Sequence, residues 1–160
     1  MSWRLRNASE GLGFYYSRER EKEATRVNMT WIEYGMQLAF AAATKSKDPW
    51  RKVGAVAFRK DNSVAGVGYN GYPTGMFEDW DDREGRRKFV IHAEANALRY
   101  CRPGEVWLLC CTTLPCNECL RSAAAYGINT IAYSDKYEND PSTIELAFEF
   151  AIELVCAKSM

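Results

Sequence analysis

The sequence predicts an α/β sandwich, with one mixed sheet, an antiparallel edge and helices on both faces. Two patterns and a composition predict it. The β-rich runs 53–58 and 64–69 flank Lys60-Asp61-Asn62, which reads as an antiparallel hairpin. Beyond the hairpin, helical and strand patterns alternate, as they do where parallel strands are joined by crossover helices. The 160 residues are 47% apolar and 13% aromatic, enough for one domain with one core.

Taken in order, residues 1–27 read as an N-terminal extension, because the run 17–22 is nearly all charged and no period emerges. Residues 28–160 form the domain. Thr30 and Glu33 have capping-box spacing, and Ile32, Met36, Ala39 and Ala43 follow at helical spacing. A helix over 30–45 should therefore stop before Asp48-Pro49, since the residue preceding proline avoids the helical region. After the hairpin, residues 70–88 hold Gly71, Pro73, Gly75 and Gly85 among many charges and read as a long loop. Helix is expected over 93–100, strand over 106–111, helix over 117–126 closed by Gly127, and strand over 130–133. A last helix is expected over 141–155 with Pro141 at its first turn, and a short strand over 155–158.

Composition also sets limits. Lysine plus arginine equals aspartate plus glutamate at 21 each, so there is no basic excess to suggest polymeric nucleic acid as a partner. No run approaches the roughly 18–20 apolar residues of a membrane span. Residues 1–26 lack the apolar core of a secretory signal, which makes a cytoplasmic location the expectation. The six cysteines are too few for a disulfide scaffold of this length. In a reducing compartment a Cys-x-x-Cys pair is more often a metal or redox site.

Two short motifs carry the chemistry. His92-Ala93-Glu94 opens one predicted helix, and Pro115-Cys116-Asn117-Glu118-Cys119 opens another just after a strand. Helix N-termini favour thiolate over thiol, and α/β folds place ligand sites at such strand ends. One imidazole and two thiolates make three zinc ligands. Structural zinc sites close with four, whereas catalytic ones keep a position for water, whose pKa the metal lowers towards neutrality. Glu94, two residues beyond the histidine, is placed to move protons. His92 is the sole histidine, so the site is unique in the subunit. The competing readings are a redox pair, and a non-catalytic zinc module using a fourth cysteine. Cys101, Cys110 and Cys111 read instead as small core residues, and a structural site has no use for Glu94. His-x-Glu followed by Pro-Cys-x-x-Cys is the general signature of zinc nucleobase deaminases.

Around these motifs the chain resembles the deoxycytidylate deaminases of the cytidine deaminase superfamily. The resemblance rests on Ser46-Lys47-Asp48-Pro49, Val53-Gly54-Ala55-Val56, Gly68-Tyr69-Asn70-Gly71-Tyr72-Pro73, His92-Ala93-Glu94-Ala95-Asn96-Ala97, Pro115-Cys116-Asn117-Glu118-Cys119 and Ser134-Asp135-Lys136-Tyr137. It implies a three-layer α/β/α sandwich with a mixed sheet of about five strands. It further implies hydrolysis of dCMP to dUMP and ammonia for thymidylate synthesis, by a zinc-bound hydroxide with Glu94 as proton shuttle and one Zn²⁺ on His92, Cys116 and Cys119. Asn70 would hold the sugar 3′-hydroxyl, and Ser46, Lys47, Arg51, Lys136 and Tyr137 would supply the phosphate contacts. The implied assembly is a hexamer, activated by dCTP and inhibited by dTTP, each with Mg²⁺. Gly71, Gly75, Arg86, Arg87, Lys88, Arg99 and Arg102 are the residues that would meet these effectors. Other deaminases of the superfamily, acting on dCTP, cytidine, guanine or a tRNA base, are the alternative. Two departures stand out. Residues 70–88 lack the histidine and cysteine that bind a second zinc in some relatives, and Trp50-Arg51-Lys52 is bulkier and more basic than the usual small polar residues.

Overall fold

A computed structural model describes residues 28–136 and 142–158. Five helices and five strands follow one another as α1 (Trp31–Ala43), β1 (Gly54–Arg59), β2 (Val64–Tyr69), α2 (Arg83–Phe89), α3 (Ala93–Leu98), β3 (Val106–Thr113), α4 (Asn117–Ala125), β4 (Thr130–Asp135), α5 (Ser142–Glu149) and β5 (Glu153–Cys156). The strands form one sheet in the order β2-β1-β3-β4-β5. β1 pairs antiparallel with both β2 and β3, whereas β3, β4 and β5 run parallel. The mixed sheet with an antiparallel edge is the predicted one.

Strand alternation divides the core into two layers. Val56, Phe58, Leu108 and Cys110 face α1, where they meet Met36 and Ala39. Ala55, Ala57, Leu109 and Cys111 face the other way, against Ala93, Ala97, Leu120, Ala123 and Ala147 of α3, α4 and α5. Helix α1 begins as predicted: the Thr30 hydroxyl accepts from the Glu33 backbone N–H at 3.1 Å, and the Glu33 carboxylate accepts from Thr30 N–H.

Glycines set how closely the helices lie on the sheet. A methyl group added at Gly54 would sit 1.9 Å from the Ala39 carbonyl oxygen of α1. One added at Gly68 would sit 2.3 Å from both the Ala93 carbonyl oxygen and the Ala97 nitrogen of α3. Both contacts are with backbone, which has no rotamer to yield. Asn96 then ties α3 to the strand beneath it, donating to the Tyr69 carbonyl at 2.9 Å.

Two expectations need correction. The predicted loop 70–88 contains most of a helix, α2. Asp82 caps it by accepting from Glu84 N–H at 3.0 Å, and a side chain at Gly85 would strike that carboxylate at 2.5 Å. The glycine that read as a loop residue is what lets the cap fold over its own helix. The last helix ends at Glu149, well short of 155. The Ala151 N–H donates to the Phe148 carbonyl and the Ile152 N–H to the Ala147 carbonyl, with Ala151 at φ 53°. This is a Schellman stop built on alanine. It frees residues 153–156 to pair with β4, two residues earlier than predicted. Among the described residues no helix is long and apolar enough to cross a membrane. Pro141 and the extension 1–27 lie outside the described residues.

Gly68→Ala is expected to destabilise the fold by about 1–3 kcal/mol or more, as overpacking against rigid atoms does. It should also lower zinc affinity, because α3 carries His92 and Glu94. Urea titration and zinc content check this; an unchanged midpoint would refute the close-approach role.

Candidate metal centre and active site

Two helix starts build the centre. His92 is the N-cap residue of α3 and Cys116 that of α4, and neither side chain caps its own helix. Cys119 follows on the first turn of α4. The approach to His92 is fixed by a two-bond bridge, in which Gly71 N–H donates to the Ile91 carbonyl at 3.1 Å and Ile91 N–H to the Gly71 carbonyl at 2.9 Å. Cys116 lies beyond the end of β3, after a crossing in which Leu114 N–H donates to the Asp135 carbonyl at 2.8 Å.

His92 Nδ1 lies 3.5 Å from Cys116 Sγ and 3.4 Å from Cys119 Sγ. Zinc bonds of about 2.0–2.1 Å to nitrogen and about 2.3 Å to sulfur, at a tetrahedral angle, put those atoms roughly 3.5 Å apart. The donor set therefore fits zinc in both chemistry and spacing. Among the described residues these three alone form such a cluster. The other cysteines form no disulfide, and Cys101, Cys110 and Cys111 are buried. Burial pushes the Cys110 thiol up to about 12 and holds the Cys111 thiol well above the ordinary thiol range, as suits core residues.

Within the cluster the protons are unevenly shared. The Cys116 thiol is lowered to about 3, chiefly because Cys119 donates a hydrogen bond to it, with help from His92. Cys119 is correspondingly raised, and His92 is raised to about 8 by its hydrogen bond to Cys116. Glu94 is 5% exposed, and burial raises its carboxyl above the usual carboxylate range. A carboxyl raised in this way holds a proton more readily than an exposed one, as a group that both takes and gives protons must.

The centre opens into a cleft of about 350 Å³, lined by His92, Glu94 and Cys116 on one side and by Asn70, Arg51, Arg83, Arg86 and Arg87 among others. Asn70 is buried and held at every corner. Its Oδ1 accepts from Val53 N–H at 2.8 Å, while its amide donates to the Arg51 carbonyl at 2.9 Å and to Asp48 at 3.2 Å. Both donor hydrogens are thus engaged, and the remaining lone pair on Oδ1 makes Asn70 an acceptor towards a ligand. Asp48 also accepts from the N–H groups of Trp50 and Arg51, at 2.8 and 3.0 Å, which shapes the loop. The sequence marks Asp48 only as the residue before the helix-stopping Pro49.

The remaining sequence-picked residues divide sharply. Ser46 is 2% exposed and does not line the cleft; its hydroxyl donates to the Asn70 carbonyl and accepts from Asp48 N–H. Lys47 points away and pairs with Glu78 at 2.8 Å. Arg51 lines the cleft and contacts Asp135 at 2.9 Å. Lys136 is exposed and outside the cleft wall, and Tyr137 lies outside the described residues. Arg86 and Arg87, grouped in the sequence with an effector site, line the cleft of the metal centre instead. Gly71 serves the bridge to Ile91. Gly75, at φ 84°, makes a turn that a side chain would strain. Lys88, Arg99 and Arg102 are exposed and outside the cleft wall. The cleft residues that sequence reasoning missed include Val90, Thr113 and Leu114, which carried no motif signal.

A family model described as the cytidine and deoxycytidylate deaminase zinc-binding region matches residues 29–135. The human deoxycytidylate deaminase is 35% identical over 127 residues, covering 72% of this chain and 71% of that one. The mouse deoxycytidylate deaminase is 34% identical over 126 residues, covering 72% and 71%. The dCMP deaminase of cyanophage S-TIM5, solved with dCMP and dUMP, superposes with a TM-score of 0.68 at 27% identity, covering 78% of this chain and 95% of that one. The chain belongs to the cytidine and deoxycytidylate deaminases, a family of zinc-dependent hydrolytic enzymes.

Proposed function

We propose that this chain hydrolyses dCMP to dUMP and ammonia, supplying dUMP for thymidylate synthesis. The observation that carries the proposal is the junction of a His92–Cys116–Cys119 cluster with a buried carboxyl, Glu94, in one cleft. The relatives named for dCMP, and the phage enzyme solved with dCMP and dUMP, support the choice of nucleotide. Zinc held by the three ligands supplies a water acidic enough to be a nucleophile near neutral pH. Glu94 would take one proton from the water attacking C4 of cytosine and deliver it to N3, then take the remaining proton from the new C4 hydroxyl and give it to the departing amine, leaving the C4 carbonyl. One carboxyl carries both protons in turn, and its burial, by raising its pKa, suits it to hold each of them in transit. Asn70 Oδ1 accepts from the sugar 3′-hydroxyl, its orientation fixed by the Val53 N–H and the Arg51 carbonyl.

The reading extends, on the resemblance, to a hexamer activated by dCTP with Mg²⁺ and inhibited by dTTP. Lys88, Arg99 and Arg102 are the effector candidates that lie outside the cleft wall.

Glu94→Gln should retain zinc and lower kcat about 10²–10⁴-fold. Metal analysis beside steady-state rates checks this, and full activity in the variant would sink the mechanism. An absorbance assay with dCMP, dCTP, CMP and deoxycytidine, each with and without dCTP or dTTP, tests the substrate. Turnover of dCMP is expected; turnover of deoxycytidine alone would overturn the nucleotide assignment. Zinc affinity should rise about 100-fold per pH unit below about 8, where metal must displace both the His92 and the Cys119 protons, and about tenfold per unit above it, where only the Cys119 proton remains. Competition with a chromophoric chelator measures it, and a flat profile below pH 8 would contradict the proton sharing described.

A further inference from the structure

Three arginines of α2 have no task in the chemistry above. Arg83, Arg86 and Arg87 stand at positions i, i+3 and i+4, so they share one face of the helix, and all three line the cleft that holds His92 and Glu94. Among the described residues none of them forms a salt bridge. The two acidic residues of the cleft wall do not neutralise them. Asp48 is occupied by the N–H groups of Trp50 and Arg51 and the Asn70 amide, and Glu94 lies beside the metal ligands. A chain of zero net charge therefore presents a locally cationic wall beside its reactive centre.

Arg86 is the most constrained of the three. Its guanidinium lies over the Trp50 ring, 4.0 Å from the centroid. Its Nε is buried and has no hydrogen-bond partner among the described residues. A buried donor left in that state is costly, and an anion entering the cleft would relieve it. Stacking on a ring holds a guanidinium by its face and leaves its edge for the planar recognition of phosphate. Trp50 itself is 60% exposed, so it is not there to fill a core.

We propose that Arg86, braced by Trp50 and flanked by Arg83 and Arg87, is the anchor for the 5′-phosphate of the substrate, and that Trp50 is its positioning residue. This rests on the reading that the substrate is a cytosine nucleotide. It moves phosphate recognition from the first loop and the end of β4 to α2, and it gives the unusual Trp50 a purpose.

The test compares dCMP with deoxycytidine. In the zinc-loaded enzyme, Arg86→Ala should reduce the ratio of their kcat/KM values roughly 10- to 100-fold, as expected for lost hydrogen bonds to a charged group. Arg86→Lys keeps the charge but not the planar fork and should fall between. If the alanine variant fails to fold, the lysine variant carries the test. Trp50→Ala should raise KM for dCMP about two- to fivefold, the worth of an exposed cation–π contact, with kcat kept, and Trp50→Phe should restore KM. Lys60→Ala, which removes a like charge at the hairpin turn, should leave the ratio alone. Calorimetry with dUMP and deoxyuridine gives a readout independent of turnover: the wild-type preference for dUMP should vanish in Arg86→Ala. A wild-type ratio in the Arg86 variants, or no preference for phosphate in the wild type, overturns the proposal. Equal KM values in Trp50→Ala and Trp50→Phe overturn the part given to Trp50. Tight, Arg86-dependent binding of dUMP without turnover of dCMP would instead leave the phosphate anchor standing and defeat the deaminase reading.

Discussion

The structure depends on a backbone-to-backbone approach. Helix α3 lies on β2 with no side chain between them at Gly68. A helix seated that close cannot slide or roll without striking main-chain atoms, so the His92-Ala93-Glu94 start of α3 is fixed relative to the sheet. The second half of the centre comes from the opposite logic. Cys116 and Cys119 are delivered by the β3-to-α4 turn of a parallel crossover, where the strand end and the helix start fix the position. Antiparallel and parallel parts of one sheet thus each contribute one arm of the metal site, and β1 and β3 at the centre of the sheet join them.

Much of this was legible in the sequence because it rests on local chemistry. Thr30 and Glu33 announce a helix start whatever the rest of the chain does, and Gly127 announces the end of α4. At that end Gly127, at φ 75°, donates to the Ala124 carbonyl and Ile128 to the Ala123 carbonyl. The end of α5 has the same two bonds around Ala151. The geometry is identical, but alanine in the left-handed region costs on the order of 1–2 kcal/mol and leaves no mark in the sequence. Burial of Ile152 against the core helps to hold the turn. Helix α2 was hidden for a related reason: it has no apolar period, and its one buried residue, Gly85, ordinarily signals a break.

The metal ligands were legible because few residue types can do their work. The cleft wall was not. Arginine, lysine and serine serve many purposes, and only the fold tells which of them face inwards. Ser46, a phosphate contact on the resemblance, is buried and donates to the Asn70 carbonyl. Arg86, grouped by the resemblance with an effector site, lines the cleft and has a buried nitrogen. Net charge misleads in the same way, since a sum over the chain says nothing about a wall one helix wide.

One feature of the centre reaches beyond catalysis. His92 and Cys116 occupy the N-cap positions of α3 and α4, yet neither side chain turns back to its own helix. Elsewhere in the chain Thr30 and Asp82 perform that service. A metal ion held by these two side chains ties both helix starts to a single point, as a clasp shared by two chains of turns. Stripping a metal held there would unfasten two helix ends at once, at the head of helices that pack Ala97 and Leu120 into one core. The reactive centre is also a joint of the fold, and the protein's integrity is in part a reading of its metal supply.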